Sequence, residues 1–347
     1  MKLITNLDKY ICTSNTNILM AMKRIEELGN KGKKLGRTNM FLLVCGENNK
    51  LLGTLTDGDI RRGIIQGLDL NSEVKNCMEK KSSTGKIGEK NYNIDLLKKI
   101  SSVSFFLPIV DKENCVVNIL VNIRENLSFN ALIMAGGYGK RLGGLTKNTP
   151  KPMIKVAGNP IIENVLVNLE NSNNIAKIYI STFYLSNQIA AYIKERKNDI
   201  DIDIIEEEVP LGTAGSIQLL KNIEKNHLLV VNADIITKLN FSSLMQFHIK
   251  RKFDATIAVS KYAVKVPYGV IEYDNNGNFN KIKEKPNIVH YVSAGIYILS
   301  PGFQKLVSNR GKIDMPELLS IGKKEGFKIG LFPLHEEWSD IGRPEDL

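Results

Sequence analysis

Residues 132–153 read LIMAGGYGKRLGGLTKNTPKPM. An apolar, strand-like run breaks into Gly136, Gly137 and Gly139, and Lys140, Arg141, Lys147 and Lys151 follow with no acid among them. Glycines placed directly after a strand leave consecutive backbone N–H groups bare and let an anion approach closely. An arginine then offers a fixed fork for phosphate oxygens, and a lysine a mobile point charge. The stretch is neither of the two common phosphate loops. No Gly-x-Gly-x-x-Gly opens a helix with an acid ending the next strand, and Gly-Lys-Ser/Thr is missing. Alone it would pass for a plain turn, so its surroundings have to decide.

Downstream, the segments ALIMAGG (131–137), KIYIST (177–182), DIIEE (203–207), HLLVVNAD (227–234) and ATIAVS (255–260) are strand-like. Helical periodicity separates the first four. The pattern predicts an α/β, Rossmann-like domain with a mixed, mostly parallel sheet covered on both faces. In such sheets ligands bind beyond the carboxyl ends of the strands, which is where the glycine stretch falls.

Upstream, residues 1–121 read as two similar halves. The spacing in 13–29 predicts a helix, and 40–56 two short strands around a polar turn, with a further helix start at DGDIRRGIIQG (57–67). The order helix, strand, turn, strand returns in 93–121, which marks an internal repeat. NIRENLSFN (122–130) is polar and predicts a linker, so the expected organisation is a small α+β module at 1–121, a linker at 122–130 and an α/β domain at 131–347.

Composition narrows the function. The 347 residues are 43% hydrophobic and 24% charged, an ordinary globular make-up of two or three domains. The net charge of +10 is spread along the chain with no basic tail or arginine stripe, which argues against a nucleic-acid partner and for anionic small molecules. No apolar run approaches the roughly 18 residues of a membrane span. The N-terminus lacks an apolar core of signal-peptide length, so a cytoplasmic protein is expected. Cys12, Cys45, Cys77 and Cys115 form no Cys-x-x-Cys motif and read as reduced, packed cysteines. The four histidines show no metal-ligand spacing and read as structural, and Trp338 as core packing.

The glycine stretch is followed, in order, by EEVPLGTAGSI (207–217), VVNADII (230–236), YGVI (268–271), KEKP (283–286), SAGIYIL (293–299) and EWSDIGRPEDL (337–347). This series resembles the signature of the sugar-nucleotide pyrophosphorylases, most closely guanylyltransferases acting on hexose 1-phosphates. The repeat at 1–121, with LLGTLTDGDIRRGI, resembles a pair of CBS domains. The first resemblance implies Mg²⁺-dependent nucleotidyl transfer: a sugar 1-phosphate oxygen attacks the α-phosphorus of a nucleoside triphosphate and pyrophosphate leaves. GTP and a hexose 1-phosphate, with glucosamine 1-phosphate foremost, are the expected substrates. It further implies that Arg141 holds the leaving pyrophosphate and Lys151 the reacting phosphates, and that Asp234 and Asp340 hold Mg²⁺. Ala135, Gly136, Gly137, Gly139 and Gly212 would approach the nucleotide. Glu207 would face the base, where its carboxylate can accept from guanine N1–H and N2–H but also from uracil or cytosine. Gly269, Glu284, Lys285 and Ser293 would meet the sugar phosphate. Relatives commonly have Asn-Ala-Gly where this chain has Ser293-Ala294-Gly295, which implies a differently substituted sugar. No acetylating hexapeptide-repeat domain is expected.

The second resemblance implies an adenine-type nucleotide held by Thr56 and Asp59, with pairing of two copies through the module. The competing reading is that Thr56 and Asp59 only cap the helix carrying Arg61 and Arg62. Because every reactive motif lies beyond residue 131, residues 1–125 are expected to be dispensable for catalysis. A non-catalytic subunit of the same fold is the alternative from a different class. It would be expected to have lost Arg141, Lys151 or Asp234, all of which are present.

Overall fold

The computed structural model of the chain describes residues 1–31, 40–100, 104–122, 128–172, 174–220 and 226–346. Its largest element is a seven-stranded sheet in the order Ile202–Glu206, Ile175–Thr182, Phe129–Met134, Leu228–Asn232, Asn287–Leu299, Ala255–Lys265 and Ile329–Pro333. Only Asn287–Leu299 runs antiparallel to both neighbours. The other pairings are parallel, as the alternation of strands and helices predicts.

The two-residue period of the strands divides the core. Ala131, Ile133, Leu229 and Val231 pack into one apolar cluster with the helices Ile161–Glu170 and Phe241–Arg251. Leu132, Leu228 and Val230 face the opposite way, toward Phe303, Met315 and Leu318. A sheet buried on both faces needs near-continuous apolar strands, and the burial of all but one of the residues Phe129–Met134 fits.

The first strand of this sheet opens at Phe129, inside the stretch read as linker, so its polar part ends by Ser128. Residues 123–127 lie outside the described residues. Before them stand the repeated elements: helices Ile18–Lys31 and Lys90–Ile100, and hairpins Phe41–Cys45 with Leu51–Thr56 and Phe106–Val110 with Val116–Val121. One feature is not legible as part of the repeat. Lys2–Ile4, at the start of the chain, pairs antiparallel with Val116–Val121, so the two halves are stitched together. Phe41 and Phe106, equivalent positions of the halves, stack with centroids 3.7 Å apart. Cys12, Cys45 and Cys77 are free and buried, and Cys115 is half-buried. Among the described residues no helix is long and apolar enough to cross a membrane.

Two histidines that sequence spacing keeps apart meet in the core. The ring nitrogens of His248 lie 2.8 Å from the Thr256 hydroxyl and 3.1 Å from His227 Nδ1. Burial, reinforced by His227, pushes His248 down to about 3. The unfolded chain therefore takes up this proton first. The stabilising contribution is complete above about pH 6.5 and is lost as pH falls toward 3, by about 2 kcal/mol at pH 5. Melting temperatures measured between pH 7.5 and 5 should fall with acid. In His248→Gln the fall should be shallower, and an unchanged slope would discount the pair.

Candidate active site

The sheet order reverses at Phe129–Met134, and the crevice beyond the strand ends at such a point is the ordinary ligand site of an open α/β sheet. Register sets what emerges there. Met134 pairs with Ser181 on one side and with Asn232 on the other, so three strands finish at one level. The Ala135 N–H donates to the Ser181 carbonyl at 2.8 Å, and the Ala233 N–H to the Met134 carbonyl at 3.1 Å. The glycine loop and Asp234 therefore leave the sheet side by side.

Asp340 arrives from 106 residues further on. Its strand, Trp338–Asp340, pairs antiparallel with Ile235–Thr237, with Ile235 opposite Asp340. The Ile341 N–H closes the junction on the Asp234 carbonyl at 3.1 Å. The Lys151 ammonium donates to Asp234 Oδ2 and stands 3.7 Å from Asp340 Oδ1. Arg141 reaches the same point, since a Cβ on Gly342 would stand 3.6 Å from both Arg141 Nη1 and Asp340 Oδ1. Two cations from the glycine stretch and two carboxylates from separate, distant segments thus share one crevice. Burial, and then repulsion from Asp234, raises the Asp340 carboxyl above its ordinary range, against the pull of Lys151 and Arg141.

Asp234 Oδ1 and Asp340 Oδ1 are both buried without a hydrogen-bond donor. Orphaned carboxylate oxygens facing one another fit a hard divalent cation. Among the described residues no group of three or more His, Cys, Asp or Glu side chains gathers. The two carboxylates present match the one or two that Mg²⁺ takes before completing its shell with water and substrate phosphates.

The loop is held open by its glycines. Gly139 has φ +63°, and a Cβ there would meet Thr146 Cγ2 at 2.7 Å and Lys151 Cβ at 3.1 Å, so a side chain at 139 would push Lys151 away. Gly137 has nothing within 4 Å of where a Cβ would be, which leaves its face open. Gly212, at φ +81°, brings its backbone against the Ile313 carbonyl and the Asp314 carboxylate.

Glu207 is placed differently from a freely exposed base reader. It is 5% exposed, and it accepts from the Ser181 hydroxyl and, at 2.8 Å, from the Leu211 N–H. A Cβ on Gly136 would stand 3.2 Å from Glu207 Oε1, so the carboxylate backs the glycine loop directly. Each oxygen keeps a second lone pair, so buttressing does not exhaust its acceptor capacity. Ser181 was not anticipated. A serine fully buried at a strand end was the available signal.

The sugar-side residues fall into two groups. Ser293 and Gly295 lie at the crevice. The Ser293 hydroxyl is 2.8 Å from the Tyr297 hydroxyl, and a Cβ on Gly295 would meet Asn232 Nδ2 at 2.7 Å. Gly269 and Glu284 meet each other, with Glu284 Oε1 at 3.0 Å from a Cβ on Gly269, beside the exposed hairpin of Val270–Tyr273 and Phe279–Lys283. Lys285 follows at a left-handed φ of 42° just before Pro286 and is exposed. Among the described residues neither Glu284 nor Lys285 joins the Lys151–Asp234–Asp340 ion pairs.

Thr56 and Asp59 form the capping box of the helix Asp57–Ile65. The Thr56 N–H and hydroxyl both donate to Asp59 Oδ2, at 3.0 and 2.6 Å. The Asp59 side chain is 2% exposed and also pairs with Arg62 at 3.3 Å and Lys250 at 3.5 Å. The helix-capping reading therefore describes this conformation, and Asp59 turns no open face to a ribose. Thr56 still lines a cavity of about 520 Å³ between the N-terminal module and the helix Phe241–Arg251, with Lys81, Lys99, Phe106, Phe247 and Lys250 around it.

The sequence profile described as "Nucleotidyl transferase" matches residues 130–347. The chain belongs to the nucleotidyl transferase family. It is 33% identical over 228 residues to the mannose-1-phosphate guanylyltransferase catalytic subunit beta of Drosophila melanogaster, covering 62% of this chain and 60% of that one. It is 30% identical to the bifunctional protein GlmU of Methanococcus maripaludis, covering 63% and 52%. The chain thus spans about 60% of the length of the first curated relatives it matches. Among solved structures, HddC from Yersinia pseudotuberculosis matches with a TM-score of 0.50 and 29% identity, covering 63% of this chain and 96% of that one.

Proposed function

We propose that this nucleotidyl transferase joins GTP and a hexose 1-phosphate to give a GDP-sugar and pyrophosphate. The observation that carries it is the convergence of Arg141, Lys151, Asp234 and Asp340 beside the glycine loop at neighbouring strand ends. The attacking phosphate oxygen is already an anion near neutral pH, so the protein supplies positioning and charge rather than a base. In this reading the Gly136–Gly139 backbone and Arg141 take the β- and γ-phosphates and stabilise the departing charge. Lys151, poised between the two carboxylates, turns to the α-phosphate when substrate enters. Mg²⁺ bound by Asp234 and Asp340 would neutralise phosphate oxygens.

Guanine is favoured by the guanylyltransferases among the relatives and by Glu207 beside the loop. Mannose 1-phosphate is the alternative sugar, on the name of the Drosophila relative. Ser293 in place of the commoner Asn, hydrogen-bonded to Tyr297, supports a differently substituted sugar. With the N-terminal module, this favours glucosamine 1-phosphate as the substrate, in supply of legionaminic acid precursors. The module itself we read as a regulatory CBS pair spanning residues 1–121, with the cavity beside Thr56 as the place for an adenine-type nucleotide and with pairing of two copies through it. Pyrophosphate release assayed with each of the four triphosphates against a panel of hexose 1-phosphates tests the reading. No release with any pair would overturn it.

Glu207→Gln sharpens the test. The amide sets an N–H₂ against either the Leu211 N–H or a base N–H, and a lost charge-assisted bond costs about 1.5–3 kcal/mol. Use of GTP should fall about tenfold or more relative to the other triphosphates. An unchanged order of preference would remove Glu207 from base recognition.

A further inference from the structure

The site residues all lie beyond residue 130, yet a side chain of the N-terminal module is built into the segment that delivers one of them. Arg61 is 1% exposed. Its Nε donates to Asp57 Oδ2 at 2.7 Å on its own helix. Its two terminal nitrogens donate across the interface to Glu336, at 2.7 and 3.3 Å, and to the Pro333 carbonyl. The guanidinium plane lies 3.8 Å over the ring of Phe332. Burial would raise the Glu336 carboxyl, but Arg61, His335 and a backbone hydrogen bond together hold the group at about 2. A buried ion pair is a costly way to pack an interface, since apolar residues of similar volume often serve as well or better. A planar fork bound to both a carboxylate and a backbone carbonyl does something apolar packing does not: it fixes the direction of the bound segment.

That segment leads directly to the site. Two residues after Glu336 begins the strand Trp338–Asp340, paired only with Ile235–Thr237 through three residue pairs. So short a two-stranded ladder does not hold itself in water. On the far side Ile341 bonds to the Asp234 carbonyl, and Trp338 Nε1 donates to the Ala294 carbonyl at 2.9 Å. On the near side the Leu334 N–H donates to the Val259 carbonyl at 2.7 Å and the Thr237 hydroxyl to the Glu337 carbonyl at 2.9 Å, and between these two points the Arg61 clamp grips Glu336.

We propose that Arg61 is a positioning residue for Asp340: through Pro333 and Glu336 it sets the placement of Trp338–Asp340 beside Asp234, so the catalytic half takes part of its site geometry from the N-terminal module. The claim rests on the reading of Asp340 as a residue of the nucleotidyl transfer site.

Trp338 is the only tryptophan of the chain and stands between Glu336 and Asp340, so its fluorescence reports the strand without any turnover. The full-length protein would be compared with Arg61→Lys, which keeps the charge but not the fork, and Glu336→Gln, which keeps one acceptor. Glu337→Gln serves as control, since that side chain is 80% exposed and pairs only with Lys238. In variants that melt cooperatively, Trp338 emission should shift to the red and quench more readily with acrylamide. The Mg²⁺ concentration for half-maximal pyrophosphate release should rise about tenfold, the lower end for lost support of a metal ligand, with the Michaelis constant for GTP little changed. The control should match wild type. A folded Arg61 or Glu336 variant with wild-type emission or a wild-type Mg²⁺ requirement overturns the proposal, as does an equal change in the control. Should Arg61→Lys fail to fold, Glu336→Gln decides by the same criteria. Should the wild type release no pyrophosphate at all, the functional reading fails, and Trp338 emission alone judges the clamp.

Discussion

Asp234→Asn is expected to lower the turnover of pyrophosphate release about a thousandfold at saturating Mg²⁺, the scale seen when an electrostatic partner of the transition state is removed. The side chain leaves a central strand next to the glycine loop, one oxygen taken by Lys151 and the other buried without a donor. Asparagine matches its shape, so the loss isolates charge. Without that charge Lys151 has only Asp340, 3.7 Å away, and the crevice keeps a single carboxylate for a cation. An interaction used mainly in the transition state shows as lost turnover more than as a raised Michaelis constant. Stability should move the other way. Two half-buried carboxylates that repel one another cost the resting fold, and an amide relieves the repulsion, so the melting temperature should hold or rise. Near-normal turnover with Mg²⁺ in excess would take Asp234 out of the site.

Removal of residues 1–125 is expected to lower the melting temperature by roughly 10 °C or more and to slow catalysis, rather than leave an independent enzyme. The sequence supports dispensability, because the reactive motifs all lie later. The interface argues otherwise. Phe332 is fully buried beneath Arg61, and Phe247 packs against Gly58, 3.2 Å from where a Cβ would be. Lys250 reaches across to Thr56 and Asp59. Truncation would bring both rings toward water at roughly 1.5–3 kcal/mol each. In a unit of this size each kcal/mol moves the midpoint by about 2–4 °C. Melting and pyrophosphate-release measurements on purified 126–347 decide the matter. A truncated chain that melts with the parent and keeps its turnover would show that the interface carries neither stability nor geometry.

Much of this architecture was legible in advance because it is periodic. The apolar runs at 131–137, 177–182, 203–207, 227–234 and 255–260 each contribute a strand, and the repeat in 1–121 gives two helices and two hairpins at corresponding places. Chain-terminal pairing was not legible. Lys2–Ile4 is three residues long, and nothing local says that its partner lies at Val116–Val121. The linker was drawn slightly long because Ser128, Phe129 and Asn130 are polar on average. Phe129 is nonetheless core, and average polarity does not register a single buried ring.

The same division runs through the site. Gly136, Gly137 and Gly139 with Arg141 and Lys151 sit within sixteen residues, so one stretch suggests an anion-binding loop, although alone it would pass for a plain turn and the later motifs carried the reading. Strand patterning put Asp234 at a strand end, and the family resemblance gave it the role of metal ligand. The resemblance implied that Asp234 and Asp340 share a metal, but residue pattern alone could not place them together, since the pairing of Ile235 with Asp340 joins segments more than a hundred residues apart. The sequence left Thr56 and Asp59 between two readings. In this conformation Asp59 is the capping-box partner of Thr56 and also faces the Lys250 ammonium, a neighbour from outside the module that no local pattern announces. Residue pattern gave no hint that Arg61 reaches across to Pro333 and Glu336. Local properties are written in the residues themselves: which segments are apolar with which period, where bare backbone lies, and which charges sit near it. How distant charges come to share one crevice is a property of the folded chain. That depends on strand order and register, and register is set by burial across the whole sheet rather than by any residue's own neighbours in the chain.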